Sequence, residues 1–281
     1  MPGDHWDICL STLRETDRER YLACLLSPAD KRGALAALYC FNAEIARVRD
    51  VVHQPLAGEI RLQWWRDVLE GTGEGDSSAN PVAAALIETV QTYQLPRKTL
   101  LDMIEARLFD LYDDPMPDRN AFEGYAGETA SALIQLAGLI LDAPAAMKAS
   151  EIAGHAGVAQ AIAGALLLLP LHMRRGQIYI PLDILRATGL DRESFLSGED
   201  KGKIANAINA FAGLGLDHLA SARKVGSLPA PLVPAFLPSA SVRATLQQAS
   251  RPGVVVERAS RLLPQWRRQL NMLRMTLRKA I

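Results

Sequence analysis

Apolar residues recur at intervals of three and four along most of this chain, the period of a helix with one buried face. Ile60, Trp64 and Val68 form one such row, and Leu62, Trp65 and Leu69 a second. A helix is expected here, ended by Gly71. The stretch 71–80 is rich in Gly, Ser and acids and reads as a surface loop. Pro81 then suits the first turn of the next helix, where its missing N–H is no loss. Leu95-Pro96 and the run Asp113–Pro117 are further breaks. The periodicity predicts a long helix over Asn120–Leu141, another over Ala149–Leu169 and a third over Ile204–Lys224. Only Gln177–Pro181 resembles a short extended segment. Four prolines between Leu228 and Pro238 forbid a continuous helix there. The last helix starts near Ser241, breaks around Pro252-Gly253 and resumes to the end. The pattern predicts an all-α protein, one domain over residues 1–281, built from roughly ten helices given the usual helix length.

Composition narrows the function classes. Hydrophobic residues make up 49% of the chain, and 31 basic residues balance 31 acidic ones. Such a chain can bury a sizeable core. Zero net charge removes the usual electrostatic reason to expect nucleic acid. Cys9, Cys24 and Cys40 are odd in number, lie near the N-terminus and lack a CxxC spacing. They read as reduced thiols, not as a disulfide frame or zinc site. Met1–Trp6 lacks the basic-then-apolar pattern of a signal peptide. The longest apolar run, Val158–Leu171, is too short to span a bilayer. A cytoplasmic protein is expected, with one feature that adds to the picture. Trp266, Leu270, Leu273, Leu277 and Ile281 repeat at helical spacing beside Arg267, Arg268, Arg274, Arg278 and Lys279. That pattern suits an interfacial helix on the inner membrane face or a partner-docking helix. It equally suits a core-facing helix with a basic outside.

Three features invite a chemical reading and have plainer ones. Trp64-Trp65 reads as helix packing. His172 is one of five scattered histidines without a partner at ligand spacing. Asp110, Asp113, Asp114 and Asp118 stand among prolines, which points to an exposed turn and a helix cap. No metal site is expected from these groups.

Two longer segments say more. The first is Ala37-Leu38-Tyr39-Cys40-Phe41-Asn42-Ala43-Glu44-Ile45-Ala46-Arg47-Val48-Arg49-Asp50. The second runs from Gly157 through Leu169-Pro170-Leu171-His172 into Arg174-Arg175-Gly176-Gln177-Ile178-Tyr179-Ile180-Pro181-Leu182-Asp183. In order and along nearly the whole chain, they resemble the squalene/phytoene synthase family. The resemblance implies an isoprenoid-synthase-like helical bundle with a central cavity and two facing Asp-x-x-x-Asp helices. A spacing of four puts both carboxylates of a pair on one helix face, where they hold Mg²⁺ against a substrate diphosphate. Laid on that pattern, the aspartate positions fall on Ala46, Asp50, Leu168 and His172, and a motif asparagine falls on Gly164. Three of the four carboxylates are missing.

The segments 41–50, Arg61-Leu62-Gln63-Trp64-Trp65-Arg66, 125–133 and Gly157-Val158-Ala159-Gln160 are similar to a divergent branch of the family. That branch includes an assembly factor of respiratory complex I and alphaproteobacterial relatives. The resemblance implies a non-catalytic protein with no cofactor, serving complex I subunits or assembly intermediates beside a membrane. Two alternatives stay open: a prenyl transferase, which would need Mg²⁺, and a carrier of an apolar isoprenoid or lipid. In all three, the residues that the resemblance places around the cavity are Arg47, Asp50, Tyr125, Gln160, His172, Arg174, Arg175 and Tyr179. No catalytic residue is assigned.

Overall fold

The computed structural model describes residues 2–52, 54–72 and 79–279, with side chains from His5 onward. Among the described residues all regular structure is helical. In chain order the first α-helices are α1 (Pro2–Thr16), α2 (Arg18–Leu25), α3 (Arg32–Ala46), α4 (Val48–Val51), α5 (Pro55–Glu70), α6 (Pro81–Tyr93) and α7 (Arg97–Ala106). Next come α8 (Arg119–Ala126), α9 (Ala132–Leu141), α10 (Ala143–Lys148), α11 (Ser150–Leu167) and α12 (Leu169–Arg174). The rest are α13 (Leu182–Ala187), α14 (Arg192–Ser197), α15 (Lys201–Val225), α16 (Val233–Phe236), α17 (Val242–Ala249), α18 (Val256–Ala259) and α19 (Gln265–Arg278). The segments are more numerous and shorter than the periodicity predicts, because prolines and glycines divide several of them. The loop expected over 71–80 falls largely outside the described residues, as does Ile281.

The chain forms two compact units. The first comprises Met1–Tyr112, Ala132–Ser150 and Leu228–Pro238. Its centre is α3, where every residue from Gly33 to Asn42 is buried. A helix apolar on all sides needs neighbours on all sides, and α1, α2, α6 and α9 supply them. The approach to α1 is close: a β-carbon at Gly33 would meet Trp6 at 2.6 Å. Trp65 of α5 is buried edge-on to Phe41, with ring centroids 5.0 Å apart. Trp64 stacks edge-on to Trp65 at 4.9 Å but stays partly exposed, so only half of the pair is core. The caps follow sequence chemistry. Gly71 takes φ +74° to end α5, and Asn80 accepts from the N–H groups of Val82 and Ala83 to start α6. Asp110 is buried and paired with Arg107 at 3.0 Å, which corrects its reading as part of an exposed turn.

The second unit comprises Asp113–Ser131, Glu151–Ser227 and Ser239–Ile281. The 25-residue α15 is its longest element, packed on α13, α17 and α18. Phe211 of α15 meets Phe122 of α8 edge-on at 5.0 Å. Asp118 caps α8 by accepting from the N–H of Ala121, as its place before the helix suggests. The single helix expected over Asn120–Leu141 is interrupted by a π-turn, Gly127–Ser131. There the Thr129 hydroxyl donates to the Tyr125 carbonyl at 2.7 Å and the Ser131 hydroxyl to the Gly154 carbonyl of α11 at 2.8 Å. Hydroxyls that bond main-chain carbonyls compete with the regular ladder and favour such bulges. The helix expected over Ala149–Leu169 also divides, because Pro170 has no N–H to give to Leu166. Residues 177–181, expected to be a short extended segment, form neither helix nor strand and bend at Ile180. Met116 donates its N–H to Ile178 at 3.0 Å and accepts from Leu182 at 2.9 Å.

Candidate functional site

The second unit gathers three of the eight candidate residues. Gly176 adopts φ +73° after α12 and turns the chain back along that helix. The return places the Tyr179 ring 4.5 Å from His172 and 6.0 Å from Tyr125 of α8, centroid to centroid. His172 is only 8% exposed, and Gln177 beside it donates its N–H to the His172 carbonyl at 2.9 Å. The position that carries a motif aspartate in the resembled family is therefore a buried imidazole packed on a tyrosine. Leu168, one turn earlier, is 50% exposed. An aliphatic side chain and an aromatic-packed imidazole do not fit Mg²⁺, which takes carboxylate, phosphate and water oxygens. Among the described residues, His, Cys, Asp and Glu nowhere form a group of three or more able to hold a metal ion.

The other candidates are placed differently. Gln160 of α11 accepts a 2.6 Å hydrogen bond from the buried Ser239 hydroxyl, a packing role within the unit. Arg175 closes α12, its N–H directed at the carbonyls of Leu171 and His172. Arg174 is exposed and lines a cavity of 330 Å³ with Pro170, Met173, Lys201, Ile204 and Val254. That volume is at the small end for ligand pockets.

Arg47 and Asp50 belong to the first unit. α3 ends at Ala46, Arg47 bonds back to the Ala43 carbonyl at 3.1 Å, and α4 is a single turn. Val48 is buried, while Arg47 and Asp50 are exposed. Exposure decides what Asp50 contributes to stability. A solvated carboxylate is worth little even when paired, so Asp50→Ala is expected to cost less than about 1 kcal/mol. A urea titration with unchanged slope checks this, and a midpoint loss equivalent to about 3 kcal/mol would instead indicate a buried pair.

Glu44, inside the same motif, was not singled out by sequence reasoning. Burial raises its pKa above the usual carboxylate value, against the opposing pull of Arg47 and Arg61. A raised folded pKa means stability that is present in acid and lost as pH rises through that value. Glu44→Gln is therefore expected to melt higher than the parent at pH 7, with the two converging near pH 4. Melting curves at both pH values test the sign.

Helix α19 has two differently exposed faces. It is attached through Met272 and Met275, which are buried. Of the stripe read from the sequence, Trp266 is 61% exposed, Leu273 55% and Leu277 74%, while Leu270 is half-buried. Arg267, Arg274, Arg278 and Lys279 are exposed beside it.

Known proteins resemble this chain along most of its length. NADH dehydrogenase (ubiquinone) complex I, assembly factor 6 of Mus musculus is 32% identical over 252 residues, which is 89% of this chain and 75% of that protein. The Homo sapiens protein of the same name is 32% identical over 249 residues, 88% of this chain and 74% of that one. A crystal structure of a dehydrosqualene synthase in complex with ligand has the same fold, with a TM-score of 0.81 at 15% identity, covering 98% of this chain and 96% of that one. Residues 13–274 match squalene/phytoene synthase, and the chain belongs to that family.

Proposed function

We propose that this chain is a non-catalytic member of its family that serves the assembly of NADH dehydrogenase, working through protein partners at a membrane surface. The observation that carries the reading is the pair Leu168 and His172, an exposed aliphatic and a buried aromatic-packed side chain where diphosphate chemistry needs carboxylates. The names of its curated relatives supply the partner. Deleting the gene tests it. Assembled NADH dehydrogenase should fall while squalene and phytoene stay at parental levels. The reverse pattern favours a prenyl transferase.

The membrane part of the proposal rests on α19. Among the described residues no helix is long and apolar enough to cross a bilayer. An outward stripe of Trp266, Leu273 and Leu277 beside four exposed cations instead suits the plane of an anionic membrane. Each basic residue near such a surface contributes about 1 kcal/mol before salt screens it. Ending the chain at Pro264 is expected to weaken binding to phosphatidylserine vesicles about a thousandfold at low salt, since the four cations together contribute about 4 kcal/mol. Added salt should weaken the full chain likewise. Co-sedimentation measures both. Unchanged vesicle binding with a sharply lower melting temperature would make α19 a core helix.

A further inference from the structure

The second unit holds a side-chain cluster that no motif announces. His155 of α11 and His218 of α15 bring their Nδ1 atoms to 3.0 Å from each other. On the far side of His218, Nε2 lies 3.4 Å from a carboxylate oxygen of Glu123 on α8. We propose that His155 and His218 form a two-ligand site for a divalent transition metal of the copper, nickel or zinc class, with Glu123 as the positioning residue.

The geometry argues for it in three steps. Imidazole nitrogens bind such metals at about 2.1 Å. Two nitrogens 3.0 Å apart then subtend close to a right angle at the metal, the angle between neighbouring ligands in octahedral or square-planar coordination. The Glu123 carboxylate holds the proton of His218 on Nε2, which leaves the Nδ1 lone pair free to bind. A carboxylate on the far nitrogen is the usual outer-shell partner of a metal-bound histidine. Burial and then the neighbouring His218 lower the pKa of His155, against the opposing charges of Glu151 and Glu123.

The donor set also limits the site. With two protein ligands, water fills the remaining positions and the metal exchanges readily. Neutral imidazoles select against Mg²⁺ and Ca²⁺, which prefer oxygen. Cys9, Cys24 and Cys40 are buried and do not compete. Without metal, the His155 Nδ1–H donates to His218 Nδ1, and a metal replaces that proton. Binding then ties α11 to α15 and raises the melting temperature with metal concentration.

The experiment uses the full-length, tag-free protein stripped with EDTA and titrated with NiCl₂ or ZnCl₂ at pH 7.5 by calorimetry. One equivalent should bind. His155→Ala and His218→Ala should each lower the affinity at least about tenfold, and Glu123→Gln about tenfold, the usual effect of losing an outer-shell partner. Circular dichroism in EDTA checks that each variant folds. A second measurement needs no variant: the electron paramagnetic resonance spectrum of the parent protein with one equivalent of CuCl₂ should show two imidazole nitrogens. Equal affinity in the parent and the double variant, or a copper spectrum without two imidazole nitrogens, overturns the site and leaves the pair a hydrogen bond.

Discussion

With farnesyl or geranylgeranyl diphosphate and Mg²⁺, the protein is expected to release pyrophosphate at least about a thousandfold more slowly than a synthase that keeps both aspartate pairs. A metal ion on a leaving diphosphate is worth several kcal/mol of transition-state stabilisation. About 4 kcal/mol corresponds to a thousandfold in rate. Of the four carboxylate positions only Asp50 keeps an acid, and its side chain is exposed to water. Ala46 has no donor, Leu168 offers a hydrocarbon, and the His172 ring is buried against Tyr179. A lone exposed carboxylate cannot replace the oxygen ligands that a hard cation requires. A pyrophosphate-release assay run with and without EDTA decides the matter. Metal-dependent release that disappears in Asp50→Ala would show that catalysis survives on a reduced ligand set.

The parts of the fold visible in the sequence are those set by local chemistry. Gly71, Pro81 and Asp118 mark helix ends through their own backbone or side-chain properties, and each does so in the structure. The π-turn at Gly127–Ser131 was hidden, and the Ser131 hydroxyl there reaches a carbonyl 23 residues away. Apolar periodicity carries no trace of such a bond. The outward face of α19 was hidden for a different reason. Met272 and Met275 lie on one side of that helix and Trp266, Leu273 and Leu277 on another, so the pattern alone offered two apolar faces. The same contrast holds at the candidate site. The motif positions were legible because a spacing of four fixes one helix face. The meeting of Tyr125 with Tyr179 depends on the turn at Gly176, and that of His155 with His218 on helix packing across 63 residues. Neither leaves a spacing to read.

The same substitution at two glycines of α11 is expected to have opposite effects. Gly157→Ala should destabilise the protein by about 3–5 kcal/mol, beyond the usual range for one added methyl group. A β-carbon there would sit less than 3.0 Å from the main-chain nitrogen and Cα of Ser131. A flexible side chain could rotate away, but a backbone in a close-packed interior cannot. Moving Ser131 would also strain the hydroxyl bond it donates to Gly154. Two effects of one displacement therefore add. At Gly164, seven residues along the same helix, a β-carbon meets nothing within 4 Å. Replacing a helical glycine by alanine at an open site removes unfolded-state freedom and stabilises by up to about 1 kcal/mol. Urea titrations of Gly157→Ala and Gly164→Ala should move the midpoint in opposite directions with a common slope. Because both positions share one helix, helix propensity cancels between them, and the difference measures the contact between α11 and the π-turn. Two midpoints that both rise would mean that α11 is not seated on Ser131.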